Sequence, residues 1–67
     1  MQYPESFYCR LTHEVMRDPV IDPEGISYER EAILSWLSQE QTSPVTRSAL
    51  TVAQLAPNRA LLDTIRQ

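Results

Sequence analysis

The sequence has 67 residues, one cysteine (Cys9), one histidine (His13), no lysine and a formal net charge of −3. A single cysteine excludes an intrachain disulfide, and one cysteine with one histidine is too few for a structural zinc site, which takes about four ligands. The acidic balance and the scattered arginines argue against nucleic-acid binding, no apolar run approaches the ~18 residues of a membrane span, and we expect no cofactor.

The first predicted element is a β-hairpin. Met1 to Ser6 is interpreted as a short lead-in, Arg10 to Thr12 as a loop, and Val20 to Tyr28 as the hairpin. Its turn at residues 22–25 has Asp first, Pro second and Gly fourth, which are the preferences of a type I turn. β-Branched and aromatic residues on both sides of the turn favour paired strands.

The next predicted element is a helix from Glu29 to about Ser38. Ile33 and Leu37 lie four residues apart in the sequence and would share its apolar face. Glu29 and Glu31 would place two carboxylates in the first turn, near the positive end of the helix dipole.

A polar loop from Glu40 to Thr46 follows, and the chain then returns to helix. Residues 51–54 have the spacing of a capping box and predict a single helical turn. Asn58 is a good N-cap for a last helix that runs from about Arg59 to the end of the chain. The order of elements predicts a small α+β domain in which two loops flank one central helix.

Six segments of the chain resemble, in order and at the same spacing, the sequence pattern of the U-box family. They are Phe7-x-Cys9-x-Leu11-Thr12, Glu14-x-Met16-x-Asp18-Pro19-Val20, Gly25-x-x-Tyr28-Glu29-Arg30-x-Ala32-Ile33, Trp36-Leu37, Ser43-Pro44-x-Thr46-Arg47-x-x-Leu50 and Leu55-x-Pro57-Asn58-x-x-Leu61. The stretch from 43 to 58 particularly resembles the U-box of the chaperone-associated ligase of this family. The chain departs from the pattern at Arg10, where proline is most common, and at Leu11, where isoleucine is usual.

The resemblance implies a RING-like fold without metal, in which hydrogen bonds and salt bridges hold the two loops. We therefore expect a β-hairpin, a central helix, two flanking loops and a C-terminal helix, with residues 1–67 forming one U-box domain of a larger protein. The implied function is that of a ubiquitin-protein ligase module. Such a module binds a ubiquitin-charged conjugating enzyme and promotes transfer of the ubiquitin to an acceptor lysine by positioning, without a covalent intermediate.

The resemblance also implies which residues meet the conjugating enzyme. They are Leu11 and His13 near the first loop, Trp36 on the central helix and Pro44 in the second loop. Each has a plainer interpretation from its residue type. Leu11 and Trp36 could be core residues, His13 a solvent-facing polar residue, and Pro44 simply a turn former.

Arg47 has the most specific implied role, because in the family a cation near this position bridges the conjugating enzyme and ubiquitin. Its five donors could hold ubiquitin in the reactive pose, which is catalysis by positioning. The alternative is an exposed arginine or a local salt bridge. The residues expected to form a structural polar network are Glu14, Asp18, Arg30, Glu31 and Asn58, with plain surface charge as the alternative.

A different small α+β protein whose match to the motif is accidental stays an alternative, and two rival functions stay open as well. In one, the fold serves as a non-catalytic interaction or dimerisation module, and a homodimer is possible in either case. In the other, Cys9 carries ubiquitin covalently, although its apolar surroundings favour a small buried side chain. The cysteine poverty fits a reducing compartment, so we expect an intracellular, cytoplasmic protein whose substrate is bound by other segments.

Overall fold

The computed structural model of the chain describes residues 3–66, and its architecture is the predicted small α+β fold. Strands β1 (Pro19–Ile21), β2 (Ser27–Glu29) and β3 (Ala56–Pro57) form one antiparallel sheet in the order β2-β1-β3. Helices α1 (Arg30–Leu37) and α2 (Arg59–Arg66) follow β2 and β3, and single 3-10 turns span Glu5–Phe7 and Val52–Gln54. Residues 1, 2 and 67, which belong to the predicted lead-in and last helix, lie outside the described range.

The predicted hairpin is confirmed, with Val20 paired opposite Tyr28. Its turn is closed by the Gly25 N–H, which donates to the Asp22 carbonyl at 3.0 Å. The Asp22 side chain caps the turn by accepting the Glu24 N–H at 2.9 Å and the Ile26 N–H at 3.0 Å through Oδ1. Gly25 has a φ of +85°, a conformation that glycine adopts without steric cost.

The first helix begins one residue later than predicted. Glu29 is the last residue of β2, and its carboxylate accepts the N–H groups of Arg17 at 2.8 Å and Asp18 at 2.9 Å. This carboxylate holds the segment before β1 and does not lie in the first turn of α1. Ile33 and Leu37 are buried, as their spacing predicts.

The second helix starts at the predicted N-cap. Asn58 Oδ1 accepts the Leu61 N–H at 3.1 Å, which satisfies one of the free donors of the first turn. The Asn58 N–H donates to the Pro19 carbonyl at 2.9 Å, so the cap also anchors α2 to β1. The short strand β3, absent from the predictions, immediately precedes this cap.

The core draws on the loops as well as on the regular elements. Its buried members are Cys9, Met16, Val20, Tyr28, Ile33, Leu37 and Leu50, with Leu61 and Ile65 of α2 packed against them. Burial of loop residues fixes the loops against the hairpin and α1, which is what positions the site. Within residues 3–66 no helix is both long and apolar enough to cross a bilayer.

Candidate functional site

Two loops on either side of the hairpin and α1 have the same main-chain hydrogen-bond pattern. We call residues 8–16 loop one and residues 42–50 loop two. Isolated antiparallel bridges close them, Tyr8 with Val15 in loop one and Thr42 with Ala49 in loop two. Equivalent residues of the two loops are 34 positions apart, so the loops form a structural repeat. The repeat is barely visible in the sequence, because Thr12 and Thr46 are the only equivalent residues that are identical.

The base of each loop is held by two equivalent hydrogen bonds. In loop one, the Cys9 N–H donates to the Glu14 carbonyl at 2.9 Å, and the Met16 N–H donates to the Phe7 carbonyl at 2.9 Å. The counterparts in loop two run from Ser43 N–H to Ser48 O at 2.8 Å and from Leu50 N–H to Gln41 O at 3.0 Å. The predicted site residues of the two loops can therefore be compared position by position.

The tips of both loops end in the same uncommon conformation. The His13 N–H donates to the Cys9 carbonyl at 2.9 Å, and the Arg47 N–H donates to the Ser43 carbonyl at 2.9 Å. His13 has a φ of 60° and Arg47 a φ of 68°, values that non-glycine residues adopt only occasionally. His13 and Arg47, chosen separately from the sequence, thus occupy equivalent positions, and both side chains are exposed.

A buried side chain organises each tip. Cys9 Sγ accepts the Leu11 N–H at 3.3 Å and the Glu29 N–H at 3.2 Å. In loop two, Ser43 Oγ accepts the N–H groups of Val45 at 3.2 Å and Thr46 at 3.1 Å. Cys9 and Ser43 are each only 1% exposed, so the Cys9 thiol is a structural acceptor that a ubiquitin thioester could not reach.

Tyr28 joins loop two to the hairpin turn through its buried hydroxyl. The Tyr28 hydroxyl donates to Asp22 Oδ2 at 3.1 Å and lies 3.2 Å from Ser43 Oγ. Since the phenol has one hydrogen, Ser43 is the donor in the second contact. Burial raises the pKa of Tyr28 to about 12; the Ser43 hydrogen bond opposes this, and the Asp22 carboxylate reinforces it.

The four residues expected to meet the conjugating enzyme divide by exposure. Leu11, Trp36 and Pro44 are half-buried, whereas His13 is exposed. Leu11 and Trp36 also pack against the core, so each combines a core contact with an accessible surface. The indole Nε1 of Trp36 donates to the Thr42 carbonyl at 2.7 Å, which ties α1 to the start of loop two.

The expected polar network is only partly formed. Arg30 Nε and Asp18 Oδ2 form an ion pair at 2.8 Å, with side chains 43% and 54% exposed. Asn58 Nδ2 donates to Ser27 Oγ at 2.9 Å and so joins α2 to β2. The side chains of Glu14 and Glu31 are exposed and form no hydrogen bond or salt bridge with residues 3–66.

Sequence reasoning missed the polar groups that hold loop two. Besides Tyr28 and Ser43, the Thr46 hydroxyl donates to Glu24 Oε1 at 2.9 Å and links the tip to the hairpin turn. Asp22 was identified only as a turn residue, which accounts for its Oδ1 contacts but gives no sign of the Tyr28 contact. No three His, Cys, Asp or Glu side chains in the described part of the chain are grouped as metal ligands.

Comparison with known proteins identifies a family that the chain matches. A sequence model described as U-box domain matches residues 3–67. WD repeat, SAM and U-box domain-containing protein 1 of Danio rerio is 51% identical over 59 residues, covering 87% of this chain and 12% of that protein. Putative U-box domain-containing protein 58 of Arabidopsis thaliana is 48% identical over 67 residues, covering 98% and 16%.

A third relative has a name that includes an activity. E3 ubiquitin-protein ligase CHIP of Arabidopsis thaliana is 40% identical over 65 residues, covering 96% of this chain and 23% of that protein. The chain therefore spans less than a quarter of the length of each of these relatives.

Proposed function

The chain belongs to the U-box family, and from this we propose that it is a ubiquitin-protein ligase module that docks a ubiquitin-charged conjugating enzyme. One of its relatives is named as an E3 ubiquitin-protein ligase. The observation that carries the proposal is the pair of equivalent loops, because each presents an apolar residue and an exposed polar residue from a backbone held by main-chain hydrogen bonds. We propose further that the 67 residues form one U-box domain of a larger intracellular protein whose other segments bind the substrate.

Docking is assigned to Leu11, His13, Trp36 and Pro44. The half-buried state of Leu11 and Trp36 supports this, because side chains anchored in the core present an apolar surface at low entropic cost. Pro44 adds a contact whose φ is already fixed. The interface is small, so binding is transient and depends on a few anchor residues.

Catalysis is assigned to positioning by Arg47. Its guanidinium is exposed and forms no salt bridge within residues 3–66, so its donors are available to carbonyl groups of the conjugating enzyme and ubiquitin. These contacts hold ubiquitin against the conjugating enzyme, so that the thioester between them stays accessible to the acceptor amine. The amine then forms the isopeptide bond while the thioester breaks and the conjugating-enzyme thiol leaves, and no group of this chain bonds to ubiquitin.

The test is discharge of ubiquitin from a charged conjugating enzyme to free lysine, with and without the domain, across several conjugating enzymes. Free lysine is the appropriate acceptor because the chain has none, so a self-modification assay would be uninformative. We expect Leu11→Ala to weaken binding. We expect Arg47→Asn to lower the discharge rate with binding unchanged, since asparagine tolerates the positive φ of this position.

Matched controls separate charge and backbone effects from function. Arg59→Asn removes another exposed arginine, which lies outside both loops, and should leave discharge unchanged. A folded domain that accelerates discharge from none of the conjugating enzymes contradicts the ligase proposal. Binding without acceleration would instead favour the non-catalytic interaction module, and sedimentation of the same samples would reveal a homodimer.

A further inference from the structure

The repeat of the two loops identifies a residue in loop two that the sequence motif does not single out. Leu11 lies two residues after Cys9 in loop one, and its N–H donates to Cys9 Sγ at 3.3 Å. Val45 lies two residues after Ser43 in loop two, and its N–H donates to Ser43 Oγ at 3.2 Å. By this pattern the loop-two counterpart of Leu11 is Val45, whereas Pro44 corresponds to Arg10.

Val45 is also unusual in its exposure. The large apolar side chains that are exposed in residues 3–66 are Tyr3, Leu34, Val45 and Val52, and of these only Val45 lies in either loop, with 39% of its surface accessible. Its polar neighbours Thr46 and Arg47 are exposed as well. An apolar side chain left in water at the tip of a hydrogen-bonded loop gains free energy when a partner covers it.

The side chain suits a docking contact for a second reason. Valine is β-branched and therefore stiff at χ1, so little conformational entropy is lost when it is covered. The buried hydroxyl of Ser43 fixes the backbone on which it stands through two hydrogen bonds. Val45 is thus presented in a preformed position, as Leu11 is in loop one.

We infer that Val45 is the second apolar anchor for the conjugating enzyme, equivalent to Leu11, and that its size helps to select which conjugating enzyme binds. The inference rests on the proposed function, since it assumes that the partner on this surface is a conjugating enzyme. Val45 lies between Pro44 and Arg47 in the chain, so it makes the contact continuous from the docking residues to the positioning arginine. The matching surface on the partner is apolar.

The decisive variants change the chemistry of Val45 while keeping the loop. Val45→Thr retains the β-branched shape and replaces one methyl by a hydroxyl, and Val45→Asp adds a charge. Titration of the isotope-labelled domain with the conjugating enzyme should show affinity reduced about threefold by Val45→Thr and about tenfold or more by Val45→Asp. Val45→Ile should alter the ranking among conjugating enzymes without abolishing binding.

Val52 supplies a matched control, because it is an exposed valine outside both loops with 52% of its surface accessible. Val52→Asp should leave affinity and discharge unchanged. If Val45→Thr and Val45→Asp behave like Val52→Asp while Leu11→Ala still weakens binding, this inference is overturned and the proposed function stands. If the wild-type domain binds no conjugating enzyme, both are overturned. Thermal unfolding of each variant identifies any that fails to fold, and Val45→Thr then decides the matter.

Discussion

Loop one and loop two reach the same backbone geometry through different chemistry. In loop one the Cys9 thiol accepts two main-chain N–H groups, and one of them, from Glu29 of β2, is the link to the hairpin. In loop two the acceptor is the Ser43 hydroxyl, and the link to β2 is the Tyr28 side chain. The comparison shows that a loop conformation can be specified by main-chain hydrogen bonds, while the strength of its attachment depends on which side chains complete them.

The hydrogen bonds that attach the two loops also lead to different parts of the domain. Loop one leads into the segment whose N–H groups, at Arg17 and Asp18, are bound by the Glu29 carboxylate. Loop two is joined to the hairpin turn at two points, by Tyr28 through Asp22 and by Thr46 through Glu24. Loop two, which holds Arg47, is therefore attached through two side-chain hydroxyls that single substitutions can remove.

The largest effect is expected from Ser43→Ala. This change leaves the N–H groups of Val45 and Thr46 without their acceptor and removes a partner of Tyr28. The two N–H groups are partly buried and the Tyr28 hydroxyl is fully buried; an unpaired buried group costs about 1–3 kcal/mol, so we expect a loss of about 2–3 kcal/mol in urea unfolding. That is a large share of the roughly 3–10 kcal/mol available to a domain of this length.

Two companion variants sharpen this result. Ser48→Ala alters an exposed serine of the same loop and should change stability little. Ser43→Cys gives loop two the acceptor that loop one has at Cys9, and it should retain more stability than Ser43→Ala. Equal losses for the alanine and cysteine variants would show that the two acceptors are not equivalent.

Tyr28→Phe should loosen loop two and leave loop one intact. It removes the hydroxyl between Asp22 and Ser43, but it keeps the buried ring in the core. Amide hydrogen exchange should then be faster at Arg47 by about tenfold, the equivalent of ~1.4 kcal/mol, with little change at His13, its equivalent in loop one. Equal acceleration at both amides would mean that Tyr28 supports the whole domain rather than one loop.

The same residue makes the stability of the domain depend on pH in the alkaline range. Because the pKa of Tyr28 is raised to about 12 in the folded domain, the unfolded chain loses this proton first, near pH 10. Stability is thus fully present below about pH 10 and falls as the pH rises towards 12, by about 2–3 kcal/mol in total. Urea unfolding across this interval should show a steeper decline for the wild type than for Tyr28→Phe; parallel declines would contradict the assignment.

The elements that could be predicted from sequence are those with local signals. The turn residues at 22–25, the spacing of Ile33 and Leu37 and the cap at Asn58 each act within a few positions, and all three were confirmed. Glu29 was wrongly assigned to the helix. Its carboxylate accepts the N–H groups of residues 17 and 18, which come close to Glu29 only in the folded chain. Strand β3 was missed because a two-residue strand containing proline is recognisable only by its pairing with β1.

The loop repeat escaped prediction for a related reason. Hydrogen bonds between main-chain atoms define it, and those atoms are the same in every residue. Cys9 and Ser43 share a role as acceptors although a sequence comparison treats them as different residues. Val45 is overlooked for a similar reason, because the motif includes its neighbour Pro44 instead. The motif identified the loops as sites, but their equivalence became visible only in the main-chain hydrogen bonds within each loop of the folded chain.

The smallest effect is expected from the ion pair of Asp18 and Arg30, which joins the segment after loop one to the start of α1. Both side chains are about half exposed, so solvent and salt screen the 2.8 Å contact. A double-mutant cycle with Asp18→Asn and Arg30→Gln should give a coupling below about 1 kcal/mol in urea unfolding, and less at high salt. The Arg30 N–H keeps its 3.0 Å bond to the Asp18 carbonyl in every variant, so the cycle isolates the charges. A coupling as large as the effect of Ser43→Ala would show that this exposed ion pair holds the segment after loop one as strongly as the buried Ser43 hydroxyl holds loop two.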